Sequence, residues 1–149
     1  MSSMWGNNIK ISIFGESHSE AIGVVLDGLP AGEEIDFDEI NAQMKRRRPG
    51  STSLATSRNE SDTAHVISGI FEGKTTGMPL CAVINNENAS SKDYEKSRFL
   101  PRPGHADFTA HVKYKGFEDF RGGGHFSGRL TAPVVFAGAI CRQIFAKKG

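Results

Sequence analysis

The chain has little cysteine, no long apolar run and almost no net charge. Two cysteines in 149 residues, Cys81 and Cys141, are too few for a disulfide framework, and neither has ligand-like spacing to a histidine or to the other. Both lie in apolar runs and read as buried free thiols, which favours a reducing, cytoplasmic setting. No stretch is apolar over the roughly 20 residues that a helix needs to span a bilayer, so no membrane partner is expected. The start, Met1 to Gly6, lacks a basic segment followed by an apolar one, so no signal peptide is expected. The formal net charge is +1, which removes a global electrostatic case for nucleic acid; any preference for anions has to be local. The five histidines are not spaced as metal ligands, and no metal is expected.

What is present suits one domain with a real core: 38% of the residues are hydrophobic and 23% charged. Ile9, Ile11 and Ile13 alternate with Lys10 and Ser12, predicting a half-buried strand over 9–14, and a second over 22–26 makes an antiparallel pair with it. Asp36 caps a helix, with Glu39 placed for a capping box and Phe37, Ile40 and Met44 on one face; Pro49 ends it by Arg48. Residues 50–63 read as a mobile loop and 85–99 as a second long loop. Val66 to Phe71 and Leu80 to Ile84 read as strands, Ala106 to Tyr114 and Thr131 to Lys147 as helices. The last helix is apolar enough to need partners on all sides.

Three loops combine glycine with histidine or arginine. In Gly15-Glu16-Ser17-His18 the histidine is placed for general acid or base work, with Glu16 and Glu20 near enough to raise its pKa; taken alone, such a histidine is more often solvated or structural. In Arg102-Pro103-Gly104-His105-Ala106-Asp107 the backbone path is restricted and Asp107 is placed to orient the imidazole; an incidental histidine beside a helix cap is the alternative. In Arg121-Gly122-Gly123-Gly124-His125 bare N–H groups open onto a helix, an anion site with Arg121 and Arg129 as forked partners, or else a flexible hinge. The spacing is neither a dinucleotide fingerprint nor a P-loop. The basic run Lys45 to Arg48 suits a helix C-terminus, a phosphorylated ligand or nucleic acid, the last disfavoured by charge balance and the lack of interleaved aromatics. His65 and His111 read as structural or surface residues.

Taken together, these segments resemble one family. Gly15-Glu16-Ser17-His18, Arg46-Arg47-Arg48-Pro49-Gly50, Thr75-Thr76-Gly77, Arg102 to Asp107 and Arg121 to Gly124 stand in the order and spacing of chorismate synthase, and Trp5-Gly6-Asn7 and His125 to Arg129 are similar to bacterial members. The resemblance implies an α+β fold, a mostly antiparallel sheet packed on helices within a β-α-β sandwich, and a homotetramer. Residues 1–149 would be its N-terminal portion, with the C-terminal portion absent.

The implied reaction is a lyase step of the shikimate pathway of aromatic amino acid biosynthesis. It is the 1,4-elimination of phosphate from 5-enolpyruvylshikimate 3-phosphate to give chorismate, with reduced FMN as cofactor and NADPH as candidate reductant. By the same resemblance His18 and His105 are the catalytic acids, His18 toward the leaving phosphate and His105 toward the flavin; His125, Phe126 and Ser127 touch FMN; and Arg47, Arg48 and Arg129 meet substrate phosphate. Two positions depart from the family pattern: Ser19 replaces a glycine, acceptable only where the backbone is not left-handed, and Ser53 replaces a basic residue in the 50–60 loop. The competing class is an inactive fragment acting only as a phosphate-ligand binding or interaction module.

Overall fold

A computed structural model describes residues 3–48, 60–87, 94 and 98–147. Most of the expected 50–63 loop, with Ser53, and much of the 85–99 loop lie outside the described residues. The strands are β1 (Met4–Trp5), β2 (Lys10–Gly15), β3 (Ala21–Asp27), β4 (Ala64–Ser68), β5 (Ile70–Phe71), β6 (Lys74–Thr75) and β7 (Leu80–Asn85). Five form one antiparallel sheet in the order β1-β2-β3-β7-β4, and β5 and β6 pair separately. With α1 (Phe37–Arg47), α2 (Asp107–Tyr114) and α3 (Thr131–Ala146), the fold is α+β.

Period-two alternation decides which face of the sheet is buried. Ile22, Val24 and Leu26 of β3 stand opposite Ile84, Ala82 and Leu80 of β7, and Ile11 and Ile13 of β2 extend the same face. Phe136, Ala137, Ile140 and Ile144 of α3 join this face in one core. On the other face the Phe14 ring lies against Gly23: a Cβ there would fall 2.3 Å from Phe14 Cζ. The cysteines are free but only partly buried, a correction to the expected full burial. Cys81 alternates out of the core between Leu80 and Ala82. Burial nonetheless pushes both thiols above their ordinary pKa.

The strand expected over 66–71 is broken. Its register shifts between Val66 and Ser68, and Gly69, at φ +86°, brings its backbone so close to Leu80 that a Cβ would meet its Cα at 2.3 Å. The turn that follows contains the unexpected β6, where buried Thr75 bonds Pro30 O at 2.6 Å and accepts from Glu33 N at 2.9 Å.

Asp36 caps α1, accepting from the N–H groups of Asp38 and Glu39 at 2.9 and 3.1 Å. The second half of the expected capping box does not form. The Asp36 N–H donates instead to Gln143 Oε1 at 2.8 Å, Gln143 Nε2 donates to Asp36 O at 2.9 Å, and the Glu39 carboxylate pairs with Arg142. An amide on α3 therefore grips both backbone groups of the cap residue and ties α1 to α3. Ile40 and Met44 are buried as expected, whereas Phe37 sits at the rim, 37% exposed. The helix stops at Arg48, whose ψ of 138° is the extended geometry that a following proline favours. Pro133 sits in the first turn of α3, where its missing N–H costs little. Among the described residues no helix is long and apolar enough to cross a membrane.

Among the described residues Phe136 is the largest fully buried side chain. Phe136→Ala is expected to lower unfolding free energy by about 3–5 kcal/mol, read from the midpoint shift in urea at unchanged slope.

Candidate active site

The loop after β2 is fixed by its own polar groups. Ser19 Oγ accepts from Glu16 N at 3.0 Å, and its one hydroxyl hydrogen is shared between Glu16 O and Ala21 O, both also at 3.0 Å. Ser19 is not among the residues with positive φ, so the side chain that replaces a family glycine is accommodated. Asn86, just past β7, donates from Nδ2 to Glu16 O and Ser19 O at 3.0 and 2.8 Å. The loop is also tied to the glycine-rich segment: Ser17 N donates to Gly124 O at 3.0 Å, and His125 Nδ1 to Gly15 O at 2.7 Å.

Gly122, Gly123 and Gly124 have φ values of +58°, +85° and +53°, a left-handed path that glycine holds at no steric cost. A Cβ on Gly122 would lie 2.3 Å from His18 Cε1, and one on Gly123 would lie 2.6 Å from His105 Cε1. Adjacent Cα atoms are about 3.8 Å apart. Imidazoles from loops 87 positions apart in sequence thus lie against consecutive glycines. His18 is almost completely buried and meets the Tyr94 ring edge-on at 4.9 Å.

Around His105, Arg102 holds Asp107 through Nε at 2.8 Å, Nη2 at 2.9 Å and its backbone N–H at 3.0 Å. Asp107 Oδ1 in turn meets His105 Nδ1 at 2.6 Å. The Arg102 hydrogen bond, working against burial, keeps the Asp107 carboxyl well below the usual carboxylate range. Sequence reasoning missed Asp119. Burial pushes its carboxyl up, but hydrogen bonds from the Arg121 side chain, both 2.8 Å, and backbone outweigh that and hold it low, with a contribution from His18. Arg121, expected as a forked partner for an anion, is bound to Asp119 through Nε and Nη2.

The remaining arginines separate. Arg47, in the last turn of α1, reaches Asp62 Oδ2 at 2.7 Å, Thr131 Oγ1 at 3.3 Å and Gly128 O at 3.2 Å, and Arg48 follows as the half-buried C-cap. Arg129 is inside the fold, its side chain 5% exposed, bonded to Asp62 Oδ1 at 2.6 Å, Asn86 Oδ1 at 2.5 Å and Asn85 O at 3.2 Å, with Glu60 at 3.7 Å. That burial departs from a direct phosphate contact: its donors face protein acceptors. Glu60, Asp62 and Asn86 fell within stretches read only as polar loop, and their one sequence signal is acid and amide facing a basic run.

Two cavities, of about 390 and 490 Å³, share a wall of Glu118, Asp119 and Phe126. The first is bounded by Tyr94, Arg102, Asp107, Phe120 and Gly123; the second by Phe14, Tyr114 and His125. His125 Nε2 pairs with Ser3 Oγ at 2.7 Å, while Ser127 Oγ is turned to the Arg129 N–H and caps the turn into α3. His65 is exposed on β4, and His111 pairs with Glu118 at 2.9 Å. Among the described residues no group of three or more His, Cys, Asp or Glu is placed to hold a metal ion.

A family model described as chorismate synthase matches residues 9–149. A chorismate synthase of Dehalococcoides mccartyi is 50% identical over 149 residues, covering all of this chain and 41% of the relative. That of Thermococcus kodakarensis is 45% identical over 146 residues, covering 98% of this chain and 41% of the relative. A crystal structure of chorismate synthase superposes with a TM-score of 0.68 at 29% identity, covering 96% of this chain and 35% of that one. The chain thus spans about two fifths of the length of the curated relatives it matches, corresponding to their N-terminal part. Since the matched region runs from the first residues of the sheet through α3 and takes in every loop that brings the two imidazoles together, the chain belongs to the chorismate synthase family.

Proposed function

We propose that this chain is the N-terminal portion of a chorismate synthase that converts 5-enolpyruvylshikimate 3-phosphate to chorismate by 1,4-elimination. The observation that supports it best is the seating of His18 and His105 on Gly122 and Gly123. In the reaction phosphate leaves with the C–O electron pair, a ring hydrogen is lost as a proton, and the C–H pair forms a second ring double bond as the first one shifts, so there is no net redox change. His18, enclosed beside Tyr94, donates a proton to the departing phosphate oxygen; a buried donor acts with little competition from water. Arg47 and Arg48 balance the charge that grows on that phosphate. Asp107 stays ionised at neutral pH and fixes the His105 ring through Nδ1, which leaves Nε2 as the nitrogen that would exchange a proton with the cofactor.

Aromatic side chains on both cavity walls suit a flat conjugated ring, and the volumes fall in the range of about 300–1,000 Å³ usual for ligand sites. Phe126, on the shared wall, with Phe120 and His125 on the two cavity walls, would hold FMN, and Ser127 would support that segment through its bond to the Arg129 N–H. When bound, reduced FMN supplies electron density to the allylic system as phosphate leaves. NADPH as reductant, a cytoplasmic location and a homotetramer belong to the same proposal; Phe117, 91% exposed, is a side chain that assembly would cover. A purely ligand-binding fragment is the alternative.

The deciding assay is anaerobic phosphate release from the substrate with reduced FMN, run on the chain alone and completed by the C-terminal portion of the family fold. In the completed enzyme His18→Ala and His105→Ala are each expected to lower kcat by about 100-fold or more at unchanged unfolding midpoint; near-normal rates in both would remove the acid–base assignment. Arg47→Ala is expected to weaken substrate affinity. Arg102→Ala is expected to return the Asp107 carboxyl toward about 3.9, followed by carboxyl ¹³C resonance against pH. Because the folded value lies below the unfolded one, the pair stabilises the fold above about pH 4, and this contribution is lost as pH falls through the folded value.

A further inference from the structure

The elimination chemistry makes no use of Asp62, yet this carboxylate is 2% exposed and sits at a φ of +49°, a costly backbone conformation for a residue with a side chain. Its two oxygens bind two different guanidinium groups, Arg47 at 2.7 Å and Arg129 at 2.6 Å. The Asp62 and Arg129 side chains are buried, at 0% and 5% exposure, and Arg47, at 18%, is the outer member of the series. Arg129 is anchored further by Asn86, Asn85 O and Glu60, so the inner arginine fixes the carboxylate and the carboxylate fixes the outer arginine.

We propose that Asp62 is a positioning residue, orienting Arg47 so that its remaining donors face a phosphorylated ligand; this rests on the phosphate reading above. A guanidinium carries five N–H donors. Asp62, Thr131 and Gly128 O engage three of those on Arg47, which leaves one on each terminal nitrogen, the fork that matches two phosphate oxygens. Without the carboxylate charge, two guanidinium groups would repel each other across a poorly solvated gap. Arg129 is held by other acceptors, so Arg47 is the group that would leave.

The test has a decisive sign. As a mere nearby anion, Asp62 repels phosphate, and removing its charge would tighten binding; as a positioning residue, removing it loosens binding. The ¹⁵N–¹H signals of the arginine Nε–H groups are followed in the chain and in Asp62→Asn while inorganic phosphate is added at low salt. The expected result is that Arg47 Nε–H exchanges about tenfold faster and phosphate binds about tenfold more weakly in the variant, with Arg129 Nε–H little changed and the chain still folded under the assay conditions, at an unfolding midpoint lowered by loss of the buried carboxylate charge. An Arg47 signal as protected as before, or phosphate bound equally or more tightly, overturns the proposal. Should the unsubstituted chain bind no phosphate while the variant still releases Arg47, the phosphate reading fails and the role proposed here, which needs that ligand, falls with it. If the unsubstituted chain binds phosphate and Asp62→Asn does not fold, Asp62→Glu, which keeps the charge but moves it by one methylene, replaces it: weaker phosphate binding with a shifted Arg47 signal supports the role, and unchanged behaviour overturns it.

Discussion

Close approach of bare backbone to two imidazoles is the constraint on which the site depends. Gly122 and Gly123 carry no Cβ, and at both positions one would fall inside an imidazole ring's contact distance. The left-handed path of the three glycines removes steric cost and turns the chain between the loop that bears His18 and the loop that bears His105. Gly124 closes the arrangement: its carbonyl receives the Ser17 N–H, and a Cβ on it would meet Asp119 O at 2.1 Å. The segment serves as a floor for two imidazole rings, and the Gly123 N–H is taken by Phe120 O at 3.3 Å.

Charge is handled by pairing within the protein. Arg102 with Asp107, Arg121 with Asp119, and Arg47 and Arg129 with Asp62 are each joined at 2.6–2.9 Å. Such pairs gain little at an exposed surface, but breaking one that is buried leaves an uncompensated charge at high cost. Here they also give direction, since a forked guanidinium fixes the plane of the carboxylate it holds. Asn86 connects one of these systems to the His18 loop, accepting from Arg129 while donating to the backbone beside His18, so the Asp62–Arg129 pair and that loop rest on one amide.

The scaffold under the site is built from simpler forces. Alternating Ile, Val and Leu side chains bury one face of the sheet against α3, and the Gln143 amide holds the cap of α1 to the same helix. Arg47, at the end of α1, and Thr131, at the start of α3, are thereby brought within reach of each other.

The pattern of residues alone determined the elements whose signal is local. The strands over 9–14, 22–26 and 80–84, the cap at Asp36, the stop before Pro49 and the apolar run of α3 all follow from periodicity or from backbone chemistry that acts over a few residues. The site histidines were legible as motif positions, and the Asp107 partner of His105 as a neighbour two residues away. Only the tertiary structure decided the rest. It split the 66–71 strand at Gly69, replaced half of the capping box with Gln143, turned Arg121 and Arg129 toward carboxylates, and moved Ser127 to the turn beneath α3. Each of these depends on an atom supplied from a distant segment, and pairwise contacts of that kind leave no periodicity in the chain. Spacing could mark His18 and His105 as candidates; folding was needed to put them on neighbouring glycines.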